Sequence, residues 1–151
     1  MTSEELKDRT KAFAVRAIKL VDALPRSLAG QVVGRQFLRS ATSVGANYRA
    51  ACRAQSLAEF AAKLSIVVEE ADESLYWLEL VRDTGLIKAE LLSAIMKEAN
   101  ELVAIMLASR KTAKKHDRSA NRKSTIENRQ FRKEARCAKQ NTGRGTWPRE
   151  C

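Results

Sequence analysis

Apolar residues recur three and four positions apart through four stretches of the chain, the spacing of helices that each bury one face. The clearest runs through Leu57, Ala61, Leu64, Val68, Ala71, Leu75 and Leu78. A second begins near Glu4 and carries Leu6, Phe13, Ala17, Leu20 and Leu24 before Pro25 stops it. Another spans about Ser27 to Arg53, with Val33, Phe37, Val44, Tyr48 and Cys52 near one face. The last begins near Lys88 and carries Leu92, Ile95, Ala99, Leu102 and Met106. Two prolines and six glycines are too few turn-formers for a sandwich or barrel. Four such rods joined by short connections predict an all-α, antiparallel up-down four-helix bundle.

Boundary signals are uneven. Nothing between Gly45 and Gly85 is glycine or proline, so the second and third helices could run on as one. Ser56 followed by Glu59 reads as a capping box and places a break there. Asp83-Thr84-Gly85 supplies a stop, since glycine suits the left-handed residue after a helix end. Arg110, Lys111, Lys114 and Lys115 are expected to close the fourth helix, where cations favour the negative end of the dipole.

Charge then divides the chain. Residues 1–115 hold 18 basic and 14 acidic side chains, a net +4, and residues 116–151 hold 10 and 4, a net +6. The second part is poor in apolar residues, with too little to bury to offset the entropy of ordering it. The expected organisation is therefore a bundle over 1–115 and a basic, disordered tail over 116–151, with at most a marginal helix near Ile126–Lys139. Three cysteines are too few for a disulfide scaffold and point to a reducing, cytoplasmic compartment. The opening Met-Thr-Ser-Glu-Glu-Leu-Lys-Asp is acidic where a signal peptide starts basic, and no apolar run is long enough to span a membrane.

Catalytic chemistry finds little purchase. His116 is the one histidine and falls at the junction with the tail, leaving a nucleophile in the bundle no base. Gly30-Gln-Val-Val-Gly34 lacks the lysine and the strand of a phosphate loop, and Gly30 and Gly34 are read as letting a neighbouring helix approach. The acids Glu69, Glu70, Asp72, Glu73 and Glu79 suit a solvated or partner-facing surface better than a metal, because the di-iron bundle pattern needs histidines. Cys52 is read as a small core residue. We expect no enzyme, cofactor or metal.

Arginine on the second helix is the informative feature. Between Asp22 and Glu59 there is no acidic residue, while Arg35, Arg39, Arg49 and Arg53 fall within an arc of roughly 80° and extend about 27 Å along the axis. Guanidinium forks match phosphate oxygens, so the row suits a nucleic-acid backbone. The same arginines could instead pair with the acids of the third helix, in this chain or a neighbour. No aromatic row interleaves, so binding would read charge and shape, not base sequence. The tail, with Arg122, Lys123, Arg132 and Lys133, would add attraction for polyanions.

The run Phe37-Leu-Arg-Ser-Ala-Thr-Ser-Val-Gly-Ala-Asn-Tyr-Arg-Ala-Ala-Cys-Arg53, continued by Ala58-Glu-Phe-Ala-Ala-Lys-Leu64 and Glu69-Glu-Ala-Asp-Glu-Ser-Leu-Tyr-Trp-Leu-Glu-Leu80, resembles the small bacterial four-helix-bundle proteins called 23S ribosomal RNA intervening-sequence proteins. The resemblance covers about residues 5–112. It departs at Gly45, where many members have proline, and at Ala50-Ala51, where many have Glu-Gly. It implies a left-handed bundle that assembles into a ring-like homo-oligomer, commonly a pentamer. The accessory protein of diversity-generating retroelements is similar in fold and binds nucleic acid and a reverse transcriptase. Partners implied are thus RNA more than DNA, copies of the chain itself, and a reverse transcriptase. Ser43 and Asn47 lie beside the apolar stripe, where a half-buried amide fixes register or a subunit contact.

Overall fold

The computed structural model describes residues 1–141, with side chains described through residue 127 and at 129, 130 and 132. It contains α1 (Ser3–Asp22), α2 (Leu28–Ala51), α3 (Leu57–Asp83) and α4 (Ala89–Asn141), an all-α four-helix bundle. One unit comprises Met1–Lys114, and a second begins at Lys115.

Local chemistry sets each helix end. Thr2 Oγ1 accepts from Glu5 N at 3.2 Å and Glu5 Oε2 accepts from Thr2 N at 2.7 Å, a reciprocal cap for α1. Ser27 Oγ accepts from Gly30 N at 3.1 Å to open α2. The break between α2 and α3 falls where the capping signal put it. Ser56 Oγ accepts from Glu59 N, but the Glu59 carboxylate reaches one residue further back, to Gln55 N at 2.9 Å. That bond holds the Glu59 carboxyl below its usual range, with Lys63 adding to the effect. At the end of α3, Gly85 sits at φ 67. Gly85 N donates to Arg82 O and Leu86 N to Val81 O, the two bonds of a Schellman stop.

The core runs along the bundle through Phe13 and Ala17 of α1, Phe37 and Val44 of α2, Leu64 and Leu78 of α3, and Leu92, Leu102 and Met106 of α4. On α3 the buried face is turned slightly from the expected stripe. Val67, Ser74 and Val81 are buried, Val68 and Leu75 are half-buried, and Leu57 is exposed in the first turn. Cys52, expected in the core, is half-buried.

One polar contact and one close approach mark how α2 packs on its neighbours. The buried hydroxyls of Ser40 and Ser74 meet at 3.0 Å, each also against the carbonyl of an earlier turn, Phe37 and Glu70. Along α1, the buried Thr10 lies opposite Gly45, where an added Cβ would come 3.5 Å from Thr10 O. Gly34 meets Leu24 and Val21, so a neighbouring helix does approach it. Gly30 instead faces the α1–α2 connection: a Cβ there would stand 2.2 Å from Pro25 O.

The fourth helix continues past Lys115 to Asn141. Between Gly85 and Gly143 there is no glycine or proline, and Ala, Arg, Lys, Glu and Gln are abundant, so nothing local ends it. Residues 142–151 of the expected tail lie outside the described residues.

Candidate nucleic-acid interface

All four arginines of the α2 row are exposed, but they do not share one electrostatic environment. The register set by Ser40 and Ser74 brings Arg39 opposite Glu73, and Arg39 Nη2 donates to Glu73 Oε1 at 2.5 Å. Trp77 Nε1 donates to the same oxygen at 3.1 Å, which holds the carboxylate in place. Arg39 is thus largely neutralised within its own chain. Arg35, Arg49 and Arg53 have no carboxylate within ion-pair distance among the described residues. Their guanidinium forks point from a rigid helix with their donors unspent.

Arg49 and Arg53 also line an open groove of about 480 Å³ between α1 and α2. Thr42, Gly45 and Ala46 line its α2 side, all small, so a ligand backbone can approach closely. The α1 wall carries Glu4, Lys7, Asp8, Lys11 and Ala14. Lys7 Nζ is paired with Glu4 Oε1 at 2.7 Å, whereas Lys11 and Asp8 have no ion pair among the described residues. Sequence reasoning missed this wall because it lies some forty residues earlier in the chain. The available signal was the pair Lys7 and Lys11, four apart and so on one face of α1.

The other side of α2 is different. Ser43 and Asn47 are half-buried, on the flank that faces α3. Glu70 of α3 occupies the same edge, and its Oε2 is buried without a hydrogen-bond partner among the described residues. Burial raises the Glu70 carboxyl above its usual range, Glu73 and Glu69 add to the rise, and Arg39 opposes it. At the bundle end, Cys52 and Tyr48 line a separate cleft of about 600 Å³. Burial, with a hydrogen bond to Cys52, pushes the Tyr48 hydroxyl above its ordinary range.

In the second unit, Arg122, Lys123 and Arg132 are exposed on α4. The side chain of Lys133 lies outside the described residues. Among the described residues no helix is long and apolar enough to cross a membrane.

Comparison with known proteins bears on the bundle. No curated protein sequence matches the chain significantly. A crystal structure of a protein of unknown function from the S23 ribosomal protein family of Bacteroides thetaiotaomicron is 40% identical. The match covers 70% of this chain and 97% of that one, with a TM-score of 0.65. The family model described as 23S rRNA-intervening sequence protein matches residues 4–108, the four-helix unit that carries the α2 arginines. The chain therefore belongs to the 23S rRNA-intervening sequence protein family.

Proposed function

We propose that this protein binds structured RNA by charge and shape, without catalysing a reaction, and that the bundle's contact is the α1–α2 groove with its arginine edge. One observation carries the reading: Arg35, Arg49 and Arg53 are exposed on one helix with no carboxylate within ion-pair distance among the described residues, and two of them open onto a groove. The helix fixes the spacing of the row, so only the side chains have freedom to lose when their guanidinium forks meet phosphates. The groove offers no aromatic platform, so base stacking has no place in it. The family description sets RNA in the same context. Assembly of copies into a ring would multiply a weak contact per chain into useful affinity.

A scaffold role is the competing reading, in which copies of the chain, or a reverse transcriptase, are the partners. The α2–α3 edge favours it: Arg39 is paired, Ser43 and Asn47 are half-buried, and a Glu70 oxygen lacks a donor that a second subunit could bring. Salt dependence separates the two. Each phosphate neutralised on a double helix contributes about −0.9 to the slope of log affinity against log salt, so three arginines predict roughly −2.7. Replacing Arg49 and Arg53 with alanine should flatten that slope by about 1.8. If the double variant keeps its RNA affinity and instead changes native mass, the scaffold reading replaces ours.

A further inference from the structure

Beyond the bundle, the cations of α4 are sorted by face. At about 100° per residue, Lys115, Arg118, Arg122 and Arg129 fall within an arc of roughly 60°, and Arg132 widens it to roughly 100°. Lys115 to Arg132 covers about 26 Å of helix axis. All five are exposed. The described acids of the segment, Asp117 and Glu127, sit roughly 130–150° from the centre of the row, on the far side. Lys123 falls outside the arc. A tail that merely supplied positive charge would show no such sorting.

We propose that α4 from Lys115 onward lies lengthwise along an RNA double helix, with the Lys115, Arg118, Arg122 and Arg129 row against its phosphates and its carboxylates turned away. The proposal rests on the RNA reading above for the class of partner and adds a second, separate contact with a defined face. Complementarity of charge and form selects the occupant. A straight row of cations matches a rigid row of phosphates, which a duplex presents and a flexible strand does not. Single-strand binding is built on aromatic stacking, and the row contains no aromatic residue. A membrane surface needs a broad apolar face, whereas Ile126 is the one large aliphatic residue between Lys115 and Arg132. Such a helix has no apolar face to pack and is marginal in water, so a polyanion along one side stabilises it.

The test keeps composition and net charge fixed and changes only the face. In the full-length chain, Arg118 is exchanged with Asn121, Arg122 with Ser124, and Arg129 with Gln130, which leaves no more than three of the cations from Lys115 to Arg132 within any arc of about 100°. All six positions are exposed, so the bundle is untouched. Binding is measured to a short blunt RNA duplex, to a single strand of the same sequence, and to phosphatidylglycerol vesicles. The rearranged protein should bind duplex about tenfold more weakly, with a salt slope shallower by about 2. Equal affinity and slope for both proteins would overturn the proposal and leave the bundle's RNA reading standing. Preference of the natural protein for single strand or vesicles over duplex would overturn it too. If the natural protein bound no RNA at all, the reading beneath it would fall first. Circular dichroism establishes whether the rearranged segment keeps its helix. Should it not, the neighbours Arg122→Gln and Lys123→Gln decide: the first flattens the duplex slope by about 0.9 and the second leaves it unchanged, whereas equal effects refute the face.

Discussion

The two sides of α1 treat positive charge in opposite ways. Towards α4, Arg9 Nε donates to Glu98 Oε1 at 2.6 Å and Arg9 Nη2 to Glu98 Oε2 at 3.1 Å, and Nη2 also donates to Glu101. These hydrogen bonds hold the Arg9 guanidinium even more firmly protonated than usual, against the cost of partial burial. Towards α2, Lys11 stands across the groove from Arg49 and Arg53 with no ion pair among the described residues. Net charge alone cannot distinguish the two sides. Position can: a cation held between carboxylates serves the fold, and a cation with spare donors on a groove is available to an anion.

That contrast predicts a clean separation of phenotypes. Arg9→Ala should destabilise the bundle by about 1–3 kcal/mol, because it removes a two-pronged charged contact and leaves Glu98 and Glu101 facing each other. Denaturant unfolding should show the loss, while RNA affinity at a temperature where the protein stays folded should not change. A drop in affinity after Arg9→Ala would erase the distinction. Gly85→Ala supplies the uncharged control. A side chain at φ 67 costs about 1 kcal/mol, and a Cβ there meets nothing within 4 Å. Stability should fall with no effect on binding, and a binding defect in this variant would mean that affinity merely tracks stability.

The order and faces of the helices were legible in the sequence because they depend on local spacing and local caps. Leu92, Ile95, Ala99, Leu102 and Met106 all lie in the core, as their periodicity required. The exposure of the four α2 arginines followed from the same arithmetic. Which of them is neutralised did not, since the Arg39–Glu73 pair depends on the register between two helices, and that register rests on the buried contact of Ser40 with Ser74. The burial of Ser74 was equally hidden, because a serine on α3 carries no apolar signal. The Lys7 and Lys11 wall needed the α1–α2 packing before it could be placed. The end of α4 was misplaced for another reason: the cations near Lys115 suited a helix end, but no residue there obliges the backbone to leave the helix.

Arg39 offers a way to move a residue across the line drawn above. Glu73→Gln removes the charge that neutralises it while leaving an amide oxygen to accept from Trp77 Nε1. If pairing is what withholds Arg39 from phosphates, the variant should gain affinity and its salt slope should steepen by about 0.9, one more contact. An unchanged slope would show that Arg39 faces away from any bound phosphate, and the usable row would shorten to Arg35, Arg49 and Arg53.

Glu70 is the mirror image of the free arginines, a carboxylate with one buried oxygen and no donor. Its carboxyl titrates above the reference value of 4.5 in the folded protein, chiefly because burial disfavours the charged form. The sign follows from linkage. A carboxyl whose pKa is raised by folding stabilises the fold below its unfolded pKa, and that contribution is lost as pH rises through the folded pKa. At neutral pH the charged Glu70 therefore weakens the isolated chain, and Glu70→Gln should raise its melting temperature by about 1–2 °C. The gain should shrink as pH falls through the raised pKa and vanish once the natural carboxyl is protonated in both states. Arg39 pulls the other way, since it favours the charged carboxylate. A variant that melts lower at neutral pH, with the deficit disappearing in acid, would mean that attraction to Arg39 outweighs burial. Glu70 would then join Glu73 in neutralising Arg39, and the α2–α3 edge would resemble the α1–α4 seam.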